Sequence, residues 1–429
     1  MSSDIRDFVM KQALFSHHDH HADFDQFESQ RAELDYRALL GYAGADLENA
    51  GHGRGLAPWG SDDGAMAELW REIRTTGYGR AVTYTTRECF DLDYAPETWP
   101  QVTEALRGAI QGKTPLEVYD HFMGLANNRW VACDTLFRVE NENALKENLY
   151  PDYYRNTFRM DSLFNITDAG PVHALERFTG VDILSLDRLA EALNSAITTC
   201  RETGRMCALK NGMAYLRDLV VGFPTKHEAE TAFNRIVSRK AFHDGLQQNS
   251  GAVSAAEGRP LADWLFHAFV QRASDDDIPV QIHTGYLAGL WGSLGGTRAM
   301  NLVPVFERYQ NVRFDIFHAS WPWTSELGTI AKNYPNVHPS LCWMWAMNPT
   351  EAERALSEWL DGVPFTKIFG YGADTGYPWN NVGYSKQARI GIARVLEAKI
   401  DAGYFSGETA REVAEHIMLK NGEAFYGLG

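Results

Sequence analysis

Short apolar runs alternate with amphipathic stretches along most of this chain, the period-two and period-3.6 patterns of strands and helices. Runs centred near positions 14, 131, 161, 207, 280, 315, 340 and 367 predict eight strands. Leu186, Leu189, Leu193, Ile197 and Cys200 share one helical face, opened by Ser185 as an N-cap and closed by Gly204. Further helices are expected near 261–273, 298–309 and 324–333, the last stopped by Pro335. Another starts at Asn348 and Pro349, an N-cap with proline at the first helical position. Val413 and Ile417 mark the buried face of a closing helix.

Strands that alternate with helices predict a parallel sheet, and eight such units predict an α/β fold of the (β/α)8 TIM-barrel class, distorted in places. The alternative is an open doubly wound sheet. Its dinucleotide-binding version has no support, because no Gly-x-Gly-x-x-Gly follows an early strand. The stretch 22–128 breaks the rhythm. It runs through glycine-rich loops and carries helical patterns near 64–76 and 100–126. It reads as a mostly helical cap inserted after the first strand, so 1–429 is expected to form a single barrel domain.

Composition narrows the class without naming a function. Lys and Arg number 40 against 56 Asp and Glu, a net charge of −16, which disfavours nucleic acid and anionic membranes as partners. The longest apolar runs are too short for a transmembrane helix, and the start shows no basic segment followed by an apolar one. The five cysteines are odd in number, widely spaced and free of any Cys-x-x-Cys, which points to a reducing cytoplasm. A small-molecule substrate and a homo-oligomer are the expected partners.

The chemistry begins at the end of the first strand, where His17, His18, His20 and His21 crowd into five positions. On a strand, residues two apart share a face, so His18 and His20 would converge and could begin a divalent-metal site. In a barrel of this class the working residues lie at the C-terminal strand ends. Those ends carry Asp134, Lys210, His283, His318 and finally Asp374. One histidine ending a strand is usually structural. Several at equivalent rims, with an aspartate, favour a shared site. Trp321, Trp323, Trp343 and Trp345 follow strands six and seven and could wall a substrate pocket or meet another subunit. Arg80, Arg87 and Glu88 in the cap could reach the site or simply be surface charges.

These residues resemble the amidohydrolase superfamily, in particular the amidohydrolase-2 branch with its uronate isomerases and metal-dependent decarboxylases. The resemblance is strongest at His18, Asp19 and His20 and from Pro279 to Asp374, and it extends over nearly the whole length. It implies one divalent ion, Zn²⁺ ahead of Mn²⁺, held by His18, His20, His283 and Asp374, with a second ion left open. It also implies Asp374 and His318 as the catalytic pair, and His17 and His21 as supporting residues. Ser16 stands where the family often has aspartate. Lys210 stands where two-metal members carry a carboxylated lysine, although contact with a substrate anion is the preferred role here. The motif 421–427 resembles the family's closing helix.

The expected activity is metal-dependent hydrolysis of a C–N or C–O bond in a small carboxylated substrate, with Asp374 as general base to the activated water. Lys210, Arg87, Trp321 and Trp343 are the expected substrate contacts. An isomerase or decarboxylase on the same scaffold is the alternative, and an inert interaction module the third.

Overall fold

The computed structural model describes residues 2–60, 63–138, 149–203, 205–243 and 252–428. Seven parallel strands pair in sequence order: β1 (Leu14–Asp19), β2 (Asn128–Arg138), β3 (Tyr154–Arg159), β4 (Met206–Asn211), β5 (Val280–Ile282), β6 (Phe314–Ile316) and β7 (Val337–Pro339). Neighbours in sequence are neighbours in space throughout, the ordering of a barrel rather than of a doubly wound sheet. The expected alternation is therefore present, with helices between neighbouring strands except β2 and β3, where the described residues carry none, and a large buried apolar core.

The eighth strand differs from expectation. Phe365–Lys367 is a 3₁₀ turn, and only Ser340 and Phe369 form a bridge. The chain from 369 to 376 still closes the ring. Phe369 and Gly372 accept from Leu341 and Trp343 on one side (2.9 and 2.8 Å), while the Asp374 amide donates to the His18 carbonyl on the other (2.9 Å). Backbone hydrogen bonds are thus satisfied without a regular strand. β3 also lies earlier than the run centred near 161, because Asp161–Asn165 turns as a 3₁₀ helix.

The insertion is helical, as the pattern predicted, but more finely divided. The 100–126 pattern is two helices, Trp99–Ile110 and Pro115–Ala126, the second opened by a capping box from Thr114 and Glu117. An unpredicted helix, Gly77–Phe90, packs on Pro378–Asp401, a 24-residue helix buried along most of its length. The Ser185 and Asn348 caps form, donated to by Arg188 and Glu351 amides at 3.2 and 3.1 Å. Gly204, the expected helix stop, lies outside the described residues. At the opposite end of the barrel, Tyr426 of the closing helix Asn421–Tyr426 donates to Asp315 Oδ2 (2.5 Å) and accepts from Gln281 (2.8 Å).

Candidate metal centre

β1 delivers two of its histidines to one place, though not as a regular strand. Its pairing with β2 slips between Ser16 and Asp19, and His20 lies just past its end. The His18 and His20 rings nevertheless sit 4.7 Å apart, edge to face. The other two histidines go elsewhere. His17 packs against Phe369 and Phe317, with Nδ1 3.2 Å from Asp315. His21 is fixed by the Tyr154 hydroxyl (2.7 Å) and the Thr375 hydroxyl (3.0 Å), and burial holds it neutral, with its pKa down to about 3.

Asp374 is the hub. Its Oδ1 lies 3.0 Å from His20 Nε2 and 3.9 Å from His18 Nε2, and its Oδ2 3.5 Å from His318 Nε2. His18, His20 and Asp374 offer three ligand atoms within 4.8 Å of one another. Burial would raise the Asp374 carboxyl, but the His20 hydrogen bond and the neighbouring imidazoles outweigh it and hold it well below the usual range. For His20, burial opposes the charge of Asp134 and the contacts with Asp134 and Asp374, which win and push its pKa up to about 9.

The tautomers of the remaining pair are set by carbonyls, which can only accept. His318 Nδ1 faces the Cys342 carbonyl at 3.1 Å, and His283 Nε2 faces the Tyr286 carbonyl at 2.9 Å. Each of those nitrogens therefore carries the proton. Burial lowers both pKa values, to about 4 for His318, so the two facing nitrogens, 3.0 Å apart, present lone pairs to each other. Two convergent lone pairs beside an ionised carboxylate repel unless a cation or proton lies among them. The donor set of imidazoles and carboxylate thus fits a divalent ion of the zinc or manganese type. Cys342 also neighbours His318 and Asp374, but burial keeps its sulfur a thiol rather than a ligating thiolate.

His18, Asp134, Lys210, His283, His318 and Asp374 are all buried, whereas the His20 side chain is 29% exposed and marks the open side. Lys210 stands 3.7 Å over the Phe317 ring, and its Nζ makes no hydrogen bond among the described residues. Burial pulls its pKa down to about 8 against the opposing charge of Asp134. Trp343 packs 5.1 Å from His318 and 4.5 Å from Tyr42, and its indole nitrogen has no hydrogen-bond partner among the described residues. Trp321 lies one ring further out, against Tyr286.

Some expected contacts do not join the cluster. Arg87 is exposed and paired with Asp93 (2.5 Å), and Glu88 pairs with Lys386 (2.9 Å). These lie on a helix held by packing, so charge alone could not say which way they face. His283 reaches Asp374 only through His318 in this arrangement. Trp345 is structural, donating to the Gly370 carbonyl at 2.7 Å.

Sequence reasoning missed two neighbours. Arg159, at the end of β3, pins Asp134 (2.7 Å), whose other oxygen contacts His20 Nδ1. Its position at a strand end was the available signal. Tyr42, whose hydroxyl donates to Asp374 at 3.3 Å, comes from the insertion and had none.

Residues 247–428 match the family model described as Amidohydro_2, amidohydrolase. Among curated proteins, Protein fluG of Emericella nidulans is 26% identical over 195 residues, covering 44% of this chain and 22% of that protein. Among solved structures, uronate isomerase from Thermotoga maritima superposes with a TM-score of 0.78 at 14% identity, covering 99% of this chain and 97% of that one. Glucuronate isomerase from Caulobacter crescentus gives 0.76 at 14%, over 100% and 94%. A putative metal-dependent hydrolase from Lactobacillus casei gives 0.66 at 14%, over 99% and 97%. No helix among the described residues is long and apolar enough to cross a membrane. Residues 247–428 are therefore similar to the amidohydrolase family, and the chain shares along its length the distorted (β/α)8 fold of these solved structures.

Proposed function

We propose that this protein is a metal-dependent hydrolase that cleaves a C–N or C–O bond in a small carboxylated substrate. The observation that carries the reading is the convergence of imidazole nitrogens on Asp374, with His18, His20 and Asp374 as the group that would hold one divalent ion and His318 and His283 beside it. Zn²⁺ suits this donor set best, with Mn²⁺ second. Such an ion supplies Lewis acidity and an acidified water, with a pKa near about 7. Asp374, held ionised, takes a proton at a carboxylate oxygen. His318, 3.5 Å away with its Nδ1 proton committed to Cys342, can receive or return that proton at Nε2. Lys210 offers its free ammonium to the substrate carboxylate, and Trp343 with Tyr42 provides a flat apolar wall.

A second reading, isomerisation of a uronate, is favoured by the likeness in fold to uronate isomerases over 99% of the chain, helical insertion included. The same Asp374 and His318 would then move a proton between substrate carbons. The test is metal analysis of the purified protein, followed by assays of the metal-loaded enzyme against N-acyl amino acids, lactones and hexuronates. Bound zinc or manganese with release of amine or acid supports the hydrolase. Interconversion of a hexuronate replaces it with the isomerase. A protein that binds no divalent ion and gains nothing from added Zn²⁺ or Mn²⁺ sinks both.

A further inference from the structure

Asp374 occupies a backbone conformation that residues with a side chain adopt at some cost. Its φ is +57°, in the left-handed region where side chains other than glycine are uncommon. Something must hold it there, and the hydrogen bonds show what does. The amides of three consecutive residues dock on β1: Ala373 on Ser16 Oγ (3.0 Å), Asp374 on the His18 carbonyl (2.9 Å) and Thr375 on Asp19 Oδ1 (2.9 Å). Asp19 is the centre of this clamp. Its Oδ1 also accepts from the Thr375 hydroxyl and from Asn381 Nδ2, both at 3.0 Å, and its Oδ2 accepts from Ser16 Oγ at 2.5 Å.

A carboxylate buried this completely is an expensive way to gain stability, since apolar residues of similar volume often serve as well or better. Its return is geometric. Each of its donors belongs to β1, to the turn bearing Asp374, or to the first part of the helix behind it. We infer that Asp19, aided by Ser16, is a positioning residue of the metal centre, clamping the 373–375 turn so that the Asp374 carboxylate stays among the imidazoles. It touches neither substrate nor ion in this role. The inference rests on Asp374 being a metal ligand and proton carrier, and it adds what fixes that residue in place.

The experiment titrates the metal-stripped full chain with Zn²⁺ and Co²⁺ by calorimetry and records the Co²⁺ visible spectrum. If wild type binds neither ion, or Asp374→Ala binds as wild type does, the reading of the site itself has failed. With binding present and lost in Asp374→Ala, Asp19→Ala is expected to weaken affinity ten- to a hundredfold and alter the Co²⁺ bands, the range for partners that orient ligands. Asp19→Asn, which keeps an oxygen for Thr375, should stay within tenfold of wild type. Thr375→Val, which removes one leg of the clamp, should weaken binding severalfold. A variant destabilised elsewhere, Gly258→Ala, whose added Cβ would stand 2.0 Å from the Ile166 carbonyl oxygen, serves as control and should keep wild-type affinity. Wild-type affinity and spectrum in Asp19→Ala, or in both Ser16→Ala and Thr375→Val if Asp19→Ala does not fold, overturns the inference. Equal weakening in Gly258→Ala also overturns it, because general loosening would then explain the effect.

Discussion

In the proposed function, Lys210 is a side chain poor for stability and useful for chemistry. Lys210 is 1% exposed, its ammonium makes no hydrogen bond among the described residues, and it stands over the Phe317 ring. A buried cation without hydrogen bonds is destabilising relative to an apolar isostere. Lys210→Met is therefore expected to stabilise the fold by about 1 kcal/mol, a rise of roughly 1–3 °C in melting temperature for a chain of this size. The same change should raise KM for a carboxylated substrate roughly tenfold or more, because the ammonium offered to that carboxylate is gone. Calorimetry and steady-state kinetics check the two halves. A lower melting temperature would mean that Lys210 has a structural partner this geometry does not reveal. The histidine cluster is instructive at the same scale. The spacing of His18 and His20 was legible because alternation along a strand is a property of sequence. The partners of His21 and His17 were not, because Tyr154, Thr375 and Asp315 come from remote positions.

Among the elements, the helix Gly77–Phe90 was hidden because its sequence carries two glycines and several β-branched residues, poor helix formers taken singly. Packing makes it a helix. Tyr78, Ala81, Val82, Thr85 and Thr86 are buried, and the helix lies against Pro378–Asp401. The closest approach is at Gly383, where an added Cβ would stand 2.2 Å from the Ala81 carbonyl oxygen. Backbone cannot retreat as a flexible side chain can, so Gly383→Ala should force the two helices apart and cost about 1–3 kcal/mol. Urea denaturation followed by circular dichroism checks it. An unchanged midpoint would show that the two helices can separate without penalty. The same contrast explains the eighth barrel segment. Its apolar run looked like a strand, yet the chain must place Asp374 in a left-handed turn and dock on both neighbours, which a regular strand does not allow.

For the whole molecule, the barrel was legible because short apolar strands alternate with amphipathic helices and several strands end in a residue able to do chemistry, regularities that survive without any contact information. The supporting layer was not, since it depends on which side chains from distant strands meet. His338 on β7 belongs to that layer and gives the molecule a specific acid sensitivity. Its ring stacks on Phe369 and meets Phe425 edge-on at 4.7 Å, and its Nδ1 has no hydrogen-bond partner among the described residues. Burial, with Lys367 nearby, pulls its pKa down to about 3. The unfolded chain takes up this proton near pH 6.5, and the folded chain only near pH 3. Between those values the unfolded state binds more protons, so stability falls as pH falls, by at most about 1.4 kcal/mol per pH unit from this residue. Above pH 6.5 both states are neutral and the contribution is constant. His21, with a similar downward shift, adds to the same slope in wild type. The informative quantity is therefore the difference between wild type and His338→Leu, measured as unfolding free energies in urea at pH 7.5 and pH 4.5. The variant should lose less stability over that interval, by about 1–3 kcal/mol. Equal losses in the two proteins would mean that His338 takes up its proton in the folded barrel, by opening the Phe369 and Phe425 packing to water.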